Sequence, residues 1–338
     1  MNTPTSQPPS PSPSGVLVSE HRGVLLLSFP RRFTVQEAIP FRRCLERELP
    51  LHPGTRRVVL DFSRTELIDS SGLGSLIPNV KLARSHAIPL VAWSAGAQVK
   101  LALSLVGLEQ AITVMPGTEA VNPTRAVNTK ERPATTHPSV RSVPKRLLDI
   151  VGALLGLSVT AVLFPFLALA IRLDSPGPIL FSQVRLGWMG RRFRFWKFRS
   201  MVVNAEALRG TVENEASGAF FKNKNDPRIT RVGRFLRKTS LDEIPQFWNV
   251  LVGDMSLIGT RPPTPDEVER YAVPNWQRLD VRPGLSGEWQ VNGRSQVIDF
   301  EDVIRLDLRY QENWSLGYDL KLIVRTFTVI FSKGSGAA

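Results

Sequence analysis

The run LLDIVGALLGLSVTAVLFPFLALAI, Leu147 to Ile171, carries one charge, Asp149. At about 1.5 Å per residue it is long enough to reach across a bilayer core of about 30 Å. A core helix of a soluble protein is the other reading, but such a helix usually keeps a polar face, and this run has almost none. Arg141, Lys145 and Arg146 precede it; Arg172, Arg185, Arg191, Arg192 and Arg194 follow it. Basic flanks favour the cytoplasmic side of a membrane, so a simple crossing puts one flank on the wrong side. Pro165 offers a way out, because proline removes a helical hydrogen bond and breaks or kinks a helix. The pattern therefore predicts a membrane re-entrant hairpin over 147–171, broken at Pro165, with both flanks on the cytoplasmic face.

Three zones precede this run. Residues 1–14 are Pro/Ser-rich with no apolar segment and read as a disordered leader rather than a signal peptide. Residues 15–116 alternate short apolar strands (Gly23–Phe29, Arg57–Phe62, Pro89–Trp93) with helical spacing (Gln36–Glu48, Gly72–Ser85, Gln98–Val106). That alternation predicts a small α/β domain. Residues 117–143 are rich in Pro, Thr, Asn and charge and read as a linker. The segment Leu320–Phe331 is a shorter apolar stretch with bases in it, suited to a membrane interface or to ordinary packing.

Composition narrows the chemistry. Net charge is +13 over 338 residues, which points to nucleic acid, an anionic membrane surface or a phosphorylated substrate. A nucleic-acid binder leaves the apolar run unexplained, and an anion transporter needs more membrane spans than this chain offers. Cys44 is the single cysteine, which excludes an intrachain disulfide and a multi-thiolate cluster. His21, His52, His86 and His137 have no ligand-like spacing.

Charged clusters fill the region from 181 to 315. Phe193-Arg194-Phe195-Trp196-Lys197-Phe198-Arg199 nearly alternates rings and bases, as a cationic strand face for phosphate or as an ordinary half-buried strand. Arg231, Arg234, Arg237 and Lys238 lead into Ser240-Leu241-Asp242-Glu243. Nearby cations favour ionised carboxylates, which can attack an activated phosphorus or bind a divalent metal; a surface salt-bridge patch is the other reading. Two Gly/Pro-shaped loops carry arginines suited to phosphate: Gly259-Thr260-Arg261-Pro262-Pro263, and Val281-Arg282-Pro283-Gly284 followed by Gln290, Asn292, Gly293 and Arg294.

From Lys145 to Lys333 the chain resembles the bacterial sugar transferases, monotopic phosphoglycosyl transferases that begin glycan assembly on polyprenyl phosphate. Lys145-Arg146 with Asp149, Lys197-Phe198-Arg199-Ser200-Met201, Ser240-Leu241-Asp242-Glu243, Gly253-Asp254-Met255-Ser256, Arg261-Pro262, Val281-Arg282-Pro283-Gly284 and Gln290-Val291-Asn292-Gly293-Arg294 carry the resemblance in order. It implies an α+β monotopic membrane catalytic domain, residues 144–338, on the cytoplasmic face of the bacterial inner membrane. The substrates it implies are a UDP-sugar and undecaprenyl phosphate, and the product begins an exopolysaccharide, capsule or lipopolysaccharide glycan. The implied roles are Asp242 as nucleophile, Glu243 as Mg²⁺ ligand, and Lys197, Arg199, Arg237, Arg261, Arg282 and Arg294 as phosphate or nucleotide contacts. Two departures stand out: Phe164-Pro165 where the family has Ser-Pro, and Gly287-Glu288-Trp289-Gln290 where it often has Gly-Trp-Ala-Gln.

Residues 15–116 resemble the STAS domains of anti-sigma-factor antagonists, on Leu60-Asp61-Phe62-Ser63 and Ile68-Asp69-Ser70-Ser71-Gly72-Leu73-Gly74. That resemblance implies a regulatory protein or kinase as partner, with Ser71 as phosphosite, or a docking or homo-oligomer role in which a serine merely caps the helix. A membrane-tethered STAS protein without catalysis is the alternative function.

Overall fold

The computed structural model describes residues 10–11, 15–115, 137–213, 223, 225–293 and 300–331. The chain divides into two compact units. The first is Met1–Thr136 with Met189–Arg191 and Tyr271–Asp280; the second is His137–Trp188, Arg192–Arg270 and Val281–Ala338.

The first unit is a mixed α/β domain. Its strands are β1 (Ser10–Pro11), β2 (Leu17–His21), β3 (Val24–Ser28), β4 (Arg32–Phe33), β5 (Arg57–Asp61), β6 (Leu67–Ile68), β7 (Leu90–Trp93) and β8 (Thr113–Met115). Its helices are α1 (Val35–Phe41), α2 (Cys44–Leu51), α3 (Ser70–Ser85) and α4 (Ala97–Leu105). The main sheet has the order β1-β2-β3-β5-β7-β8. β2 and β3 form an antiparallel hairpin, and β3, β5, β7 and β8 run parallel. Arg22 and Gly23 both have positive φ, which suits the two-residue turn between β2 and β3. The β1 pairing falls in the stretch whose composition predicts no structure, at a sheet edge where proline is tolerated.

The helix expected over Gln36–Glu48 is two helices, because Asn79 of α3 satisfies a break between them. Its side chain accepts from Leu45 N at 2.8 Å and donates to the carbonyls of Phe41 and Arg42 at 3.2 and 3.1 Å. Those are backbone groups that two helix ends leave without intrahelical partners.

The N-terminus of α3 brings together several polar groups of this unit. Asp69 caps it, accepting from Gly72 N at 2.8 Å, and Ser70 and Ser71 are fully buried. The segment Tyr271–Asp280 packs there. Ser70 Oγ donates to the Trp276 carbonyl at 2.8 Å, and Ser70 N donates to Asp280 Oδ1 at 3.2 Å. A Cβ on Gly74 would sit 2.3 Å from the Trp276 ring, so only glycine admits this approach. Burial pushes Asp280 up to about 7, and the charge of Asp69 pushes it the same way. Burial likewise raises Asp69 to about 6, against its backbone hydrogen bonds.

The second unit begins with α5 (Pro138–Arg141) and the 32-residue α6 (Val143–Asp174). α6 is helical through Pro165, where the sequence predicts a break; a proline removes one hydrogen bond and a long helix can absorb that as a kink. Its buried residues Lys145, Asp149, Ala153, Gly156, Thr160 and Ile171 recur at spacings of three, four and eleven, so they form one stripe. Leu147, Val151, Leu154, Leu155, Val159, Val162, Phe166, Leu169 and Leu173 are exposed around it. At the far end, Ile171 packs with Phe198 and Leu236.

The remaining elements are the antiparallel hairpin β9 (Leu180–Leu186) and β10 (Arg192–Phe198), then α7 (Arg231–Thr239), α8 (Phe247–Val252) and β11 (Ser256–Ile258). They are followed by α9 (Pro265–Glu269), β12 (Gly284–Ser286), α10 (Glu288–Gly293), α11 (Phe300–Glu312) and α12 (Leu316–Phe331). α8 lies against α6 because Gly156 leaves room for Phe247; a Cβ there would be 2.4 Å from the ring.

Two outcomes follow for stability. Gly156→Val is expected to cost about 1–3 kcal/mol through overpacking, read as a lower Tm of detergent-solubilised protein. The second concerns Asp69 and Asp280, whose carboxyls bind protons more tightly folded than unfolded. Their contribution is full below about pH 4 and is lost as pH rises towards about 7. Asp280→Asn should flatten that decline in melting temperature; an unchanged pH profile would refute the assignment.

Candidate active site

The second unit is built around buried polar anchors at the root of α6. Lys145 Nζ donates to Asp319 Oδ2 at 2.6 Å and to the Ile258 carbonyl at 3.0 Å. Tyr310 Oη donates to Asp319 Oδ1 at 2.8 Å, and Trp314 Nε1 to Asp319 Oδ2 at 3.1 Å. Arg146 donates to the carbonyls of Val250 and Leu251 at 2.7 and 2.6 Å, closing the end of α8. Asp149 accepts from Ser256 Oγ at 2.8 Å and Leu257 N at 2.9 Å. The Lys145-Arg146 and Asp149 block thus ties α6 to α8, β11 and α12.

β10 supplies the first site residue. Phe193 and Phe195 point into the core while Arg192 and Arg194 point out, as period two requires. Lys197 shares the inward face, with Nζ 5.4 Å from the centre of the Phe195 ring. It pairs with Glu243 at 2.9 Å and with Asp242 at 3.8 Å. Arg199 lies beyond the strand and is used differently. Its guanidinium donates to the carbonyls of Ser175 and Pro176, capping the end of α6.

α7 delivers the carboxylates. It ends at Ser240, which takes left-handed backbone geometry at φ +58. A non-glycine residue there is uncommon, and it turns the chain sharply into the short 3-10 helix Leu241–Gln246. Asp242 and Glu243 fall in the first turn of that helix, where amide dipoles favour negative charge. Asp242 is 4% exposed, and Glu243 is more open. Arg237 is in the last turn of α7, immediately before this turn. Asn249 clasps β10 beneath, accepting from Trp196 N at 3.3 Å and donating to the Arg194 carbonyl at 2.7 Å.

The two Arg-Pro loops, separate in sequence, are neighbours in space. β11 and β12 pair in parallel, and a separate bridge joins Thr260 to Pro283. Gly284 N donates to the Thr260 carbonyl at 2.8 Å. A Cβ on Gly259 would meet the Arg282 carbonyl at 2.2 Å, and one on Gly284 would meet Gly259 N at 2.1 Å. Thr260 and Pro283, the sequence neighbours of Arg261 and Arg282, are therefore paired with each other. The first loop also lies on β9: Arg185 Nη1 donates to the Pro262 carbonyl at 2.9 Å, and Leu186 N to Pro263 O at 2.9 Å. Arg185 stacks 5.4 Å from the centre of Phe195, the same ring that carries Lys197. One aromatic side chain thus supports both the cation beside Asp242 and the cation beside the Arg261 loop. Arg185 thus borders the candidate site, whereas the sequence reading took it only as a flanking base.

Arg294 lies outside the described residues. Glu288, where the chain departs from the family pattern, is 2% exposed; it accepts a hydrogen bond from Tyr318 Oη of α12 and lies 3.8 Å from Arg309 of α11. The change is absorbed in packing between helices.

A hard divalent ion takes oxygen ligands, often one or two carboxylates completed by substrate phosphates. The adjacent Asp242 and Glu243 fit that donor chemistry. Among the described residues no group of three or more His, Cys, Asp or Glu could hold a metal.

The bacterial sugar transferase profile matches residues 140–333, and the STAS domain profile matches residues 16–121. Galactosyl transferase CpsE of Streptococcus agalactiae is 49% identical over 197 residues, 58% of this chain and 43% of that protein. Undecaprenyl-phosphate galactose phosphotransferase of Salmonella typhimurium is 42% identical over 195 residues, 56% of this chain and 40% of that protein. This chain therefore spans less than half the length of those two relatives. EpsL, an uncharacterized sugar transferase of Bacillus subtilis, is 38% identical over 191 residues, 56% of this chain and 89% of that protein. The matched region holds Lys197, Asp242, Glu243 and both Arg-Pro loops, and the chain belongs to the bacterial sugar transferase family, with a STAS domain ahead of the transferase region.

Proposed function

We propose that this chain transfers a sugar 1-phosphate from a UDP-sugar to undecaprenyl phosphate, releasing UMP, at the cytoplasmic face of the bacterial inner membrane. The observation that carries this reading is the buried Asp242 beside Glu243 and Lys197. In the first step a carboxylate oxygen of Asp242 attacks the sugar-bearing phosphorus. The bond from that phosphorus to the bridging oxygen breaks, and UMP leaves with the electron pair. In the second step an oxygen of the lipid phosphate attacks the same phosphorus and Asp242 leaves as a carboxylate. Two half-reactions let two bulky substrates use one nucleophile in turn.

The cations have distinct parts in this reading. Lys197 holds Glu243 and Asp242 in one orientation. Arg261 and Arg282, in the two Arg-Pro loops, contact the diphosphate, with Arg237 close to the carboxylates and Arg294 completing the set. Glu243 would help hold Mg²⁺, which offsets phosphate charge and improves the leaving group when bound. The names of two of the relatives mention galactosyl transfer or galactose, so a UDP-hexose donor comes first in any test. The downstream glycan would be an exopolysaccharide, capsule or lipopolysaccharide.

α6 would lie in the membrane as a re-entrant element. In support, its two ends pack on the same unit, through Lys145 and through Ile171, while its other faces are apolar and exposed. The STAS domain would serve a regulatory partner or self-association. Ser71 is fully buried, so a kinase acting on it would need the start of α3 to open.

Asp242→Asn is expected to lower lipid-dependent UMP release from the accepted UDP-sugar by about 10³-fold or more in purified, solubilised protein. Retention of activity in that variant would refute the covalent route. For topology, single cysteines at Ser6 or Ser335, in a background lacking Cys44, should both resist an impermeant label in intact cells. Labelling of one end alone would mean a true crossing.

A further inference from the structure

Arg261 does not stand alone in its loop. Its Nη1 and Nη2 donate to the two carboxylate oxygens of Glu267 at 2.7 and 3.1 Å, a bidentate fork on a residue only 5% exposed. Glu267 is itself fixed. It is the third residue of α9, and its carboxylate accepts from Thr264 N while its own N–H donates to Thr264 Oγ1, a capping box. Pro262 and Pro263 stiffen the link between Arg261 and Thr264. The backbone of the same loop has separate holds: Arg185 on the Pro262 carbonyl, Leu186 N on the Pro263 carbonyl, and the bridge from Thr260 to Pro283. The loop is thus held twice, its backbone by β9 and β12 and its guanidinium by Glu267.

From this geometry we infer that Glu267 is a positioning residue for the donor substrate, acting through Arg261 by fixing the plane of its guanidinium. A guanidinium presents five N–H donors in a rigid fork, so two bonds to Glu267 orient the group without exhausting it. A second anion meeting Arg261 must then approach in one plane. The inference rests on the reading above that Arg261 contacts the diphosphate. It extends that reading to a carboxylate which is neither nucleophile nor metal ligand, set among cations where a substrate-facing acid would repel phosphate.

The test is a double-mutant cycle on the full-length, solubilised protein. UMP release is measured against donor concentration for wild type, Glu267→Gln, Arg261→Lys and the double variant. Glu267→Gln keeps the shape and the capping contact but removes the charge. It is expected to raise the KM for the UDP-sugar about tenfold, change kcat less, and have little further effect once Arg261 is Lys. A Glu267 effect of the same size in both backgrounds would overturn the inference, because Glu267 would then not act through Arg261. An unchanged donor KM in Glu267→Gln, with Arg261→Lys impaired, would overturn it and leave the role of Arg261 standing. No effect of either variant would remove Arg261 from the substrate site and the inference with it. Should the Gln variant fail to fold, Glu267→Asp in the same cycle keeps the charge, shortens the reach and meets the same criteria.

Discussion

The ion pair between Lys145 and Asp319 is buried on both sides, and much of the transferase unit is arranged around it. A charge taken out of water is costly unless paired and hydrogen-bonded, and here Asp319 also receives Tyr310 and Trp314 while Lys145 reaches the Ile258 carbonyl. Three elements far apart in sequence, α6, β11 and α12, are brought to one point. Removing one partner would leave the other charge buried and unmatched. The strand that carries Ile258 runs directly into the Arg261 loop, so the pair that anchors the apolar helix also sets the floor of the candidate active site.

The sequence made the local chemistry legible and hid the convergence. The apolar run, the alternation of strands and helices in the α/β domain and the Ser240-Leu241-Asp242-Glu243 turn are local patterns, set by period and by neighbouring residues. That the two Arg-Pro loops meet depends on the bridge between Thr260 and Pro283 and on the pairing of β11 with β12, which no local period records. The two glycines that permit it, Gly259 and Gly284, read in sequence as turn residues, whereas each occupies space the other's Cβ would need. The resemblance implies a phosphate contact at Arg199, and in the structure its guanidinium donates to the carbonyls of Ser175 and Pro176, just past the end of α6. Glu288, a departure from the family pattern, could be interpreted only once Tyr318 and Arg309 were seen to meet it.

The start of α3 carries a similar lesson for the STAS domain. Asp69-Ser70-Ser71-Gly72 has the composition of an exposed helix cap, yet both serines are buried and Ser70 is hydrogen-bonded to the Tyr271–Asp280 segment. A motif identifies the groups a surface offers; what covers that surface is set by distant chain. Here the covering segment brings its own carboxylate, Asp280, close enough to Asp69 that the Asp69 charge, beside burial, disfavours ionisation of Asp280.

α6 has two different kinds of surface, and only one of them is visible to hydropathy. Its outward residues are interchangeable apolar groups, but its buried stripe carries a lysine, an aspartate, a threonine and a glycine, each with an assigned neighbour. Any graft of a generic membrane helix of equal length would match the first surface and erase the second. Such a chimaera would insert into lipid and leave Asp319, Ser256 and Phe247 without their counterparts. The apolar helix is thus part of the interior of the transferase unit, and the two cannot be exchanged as separate modules.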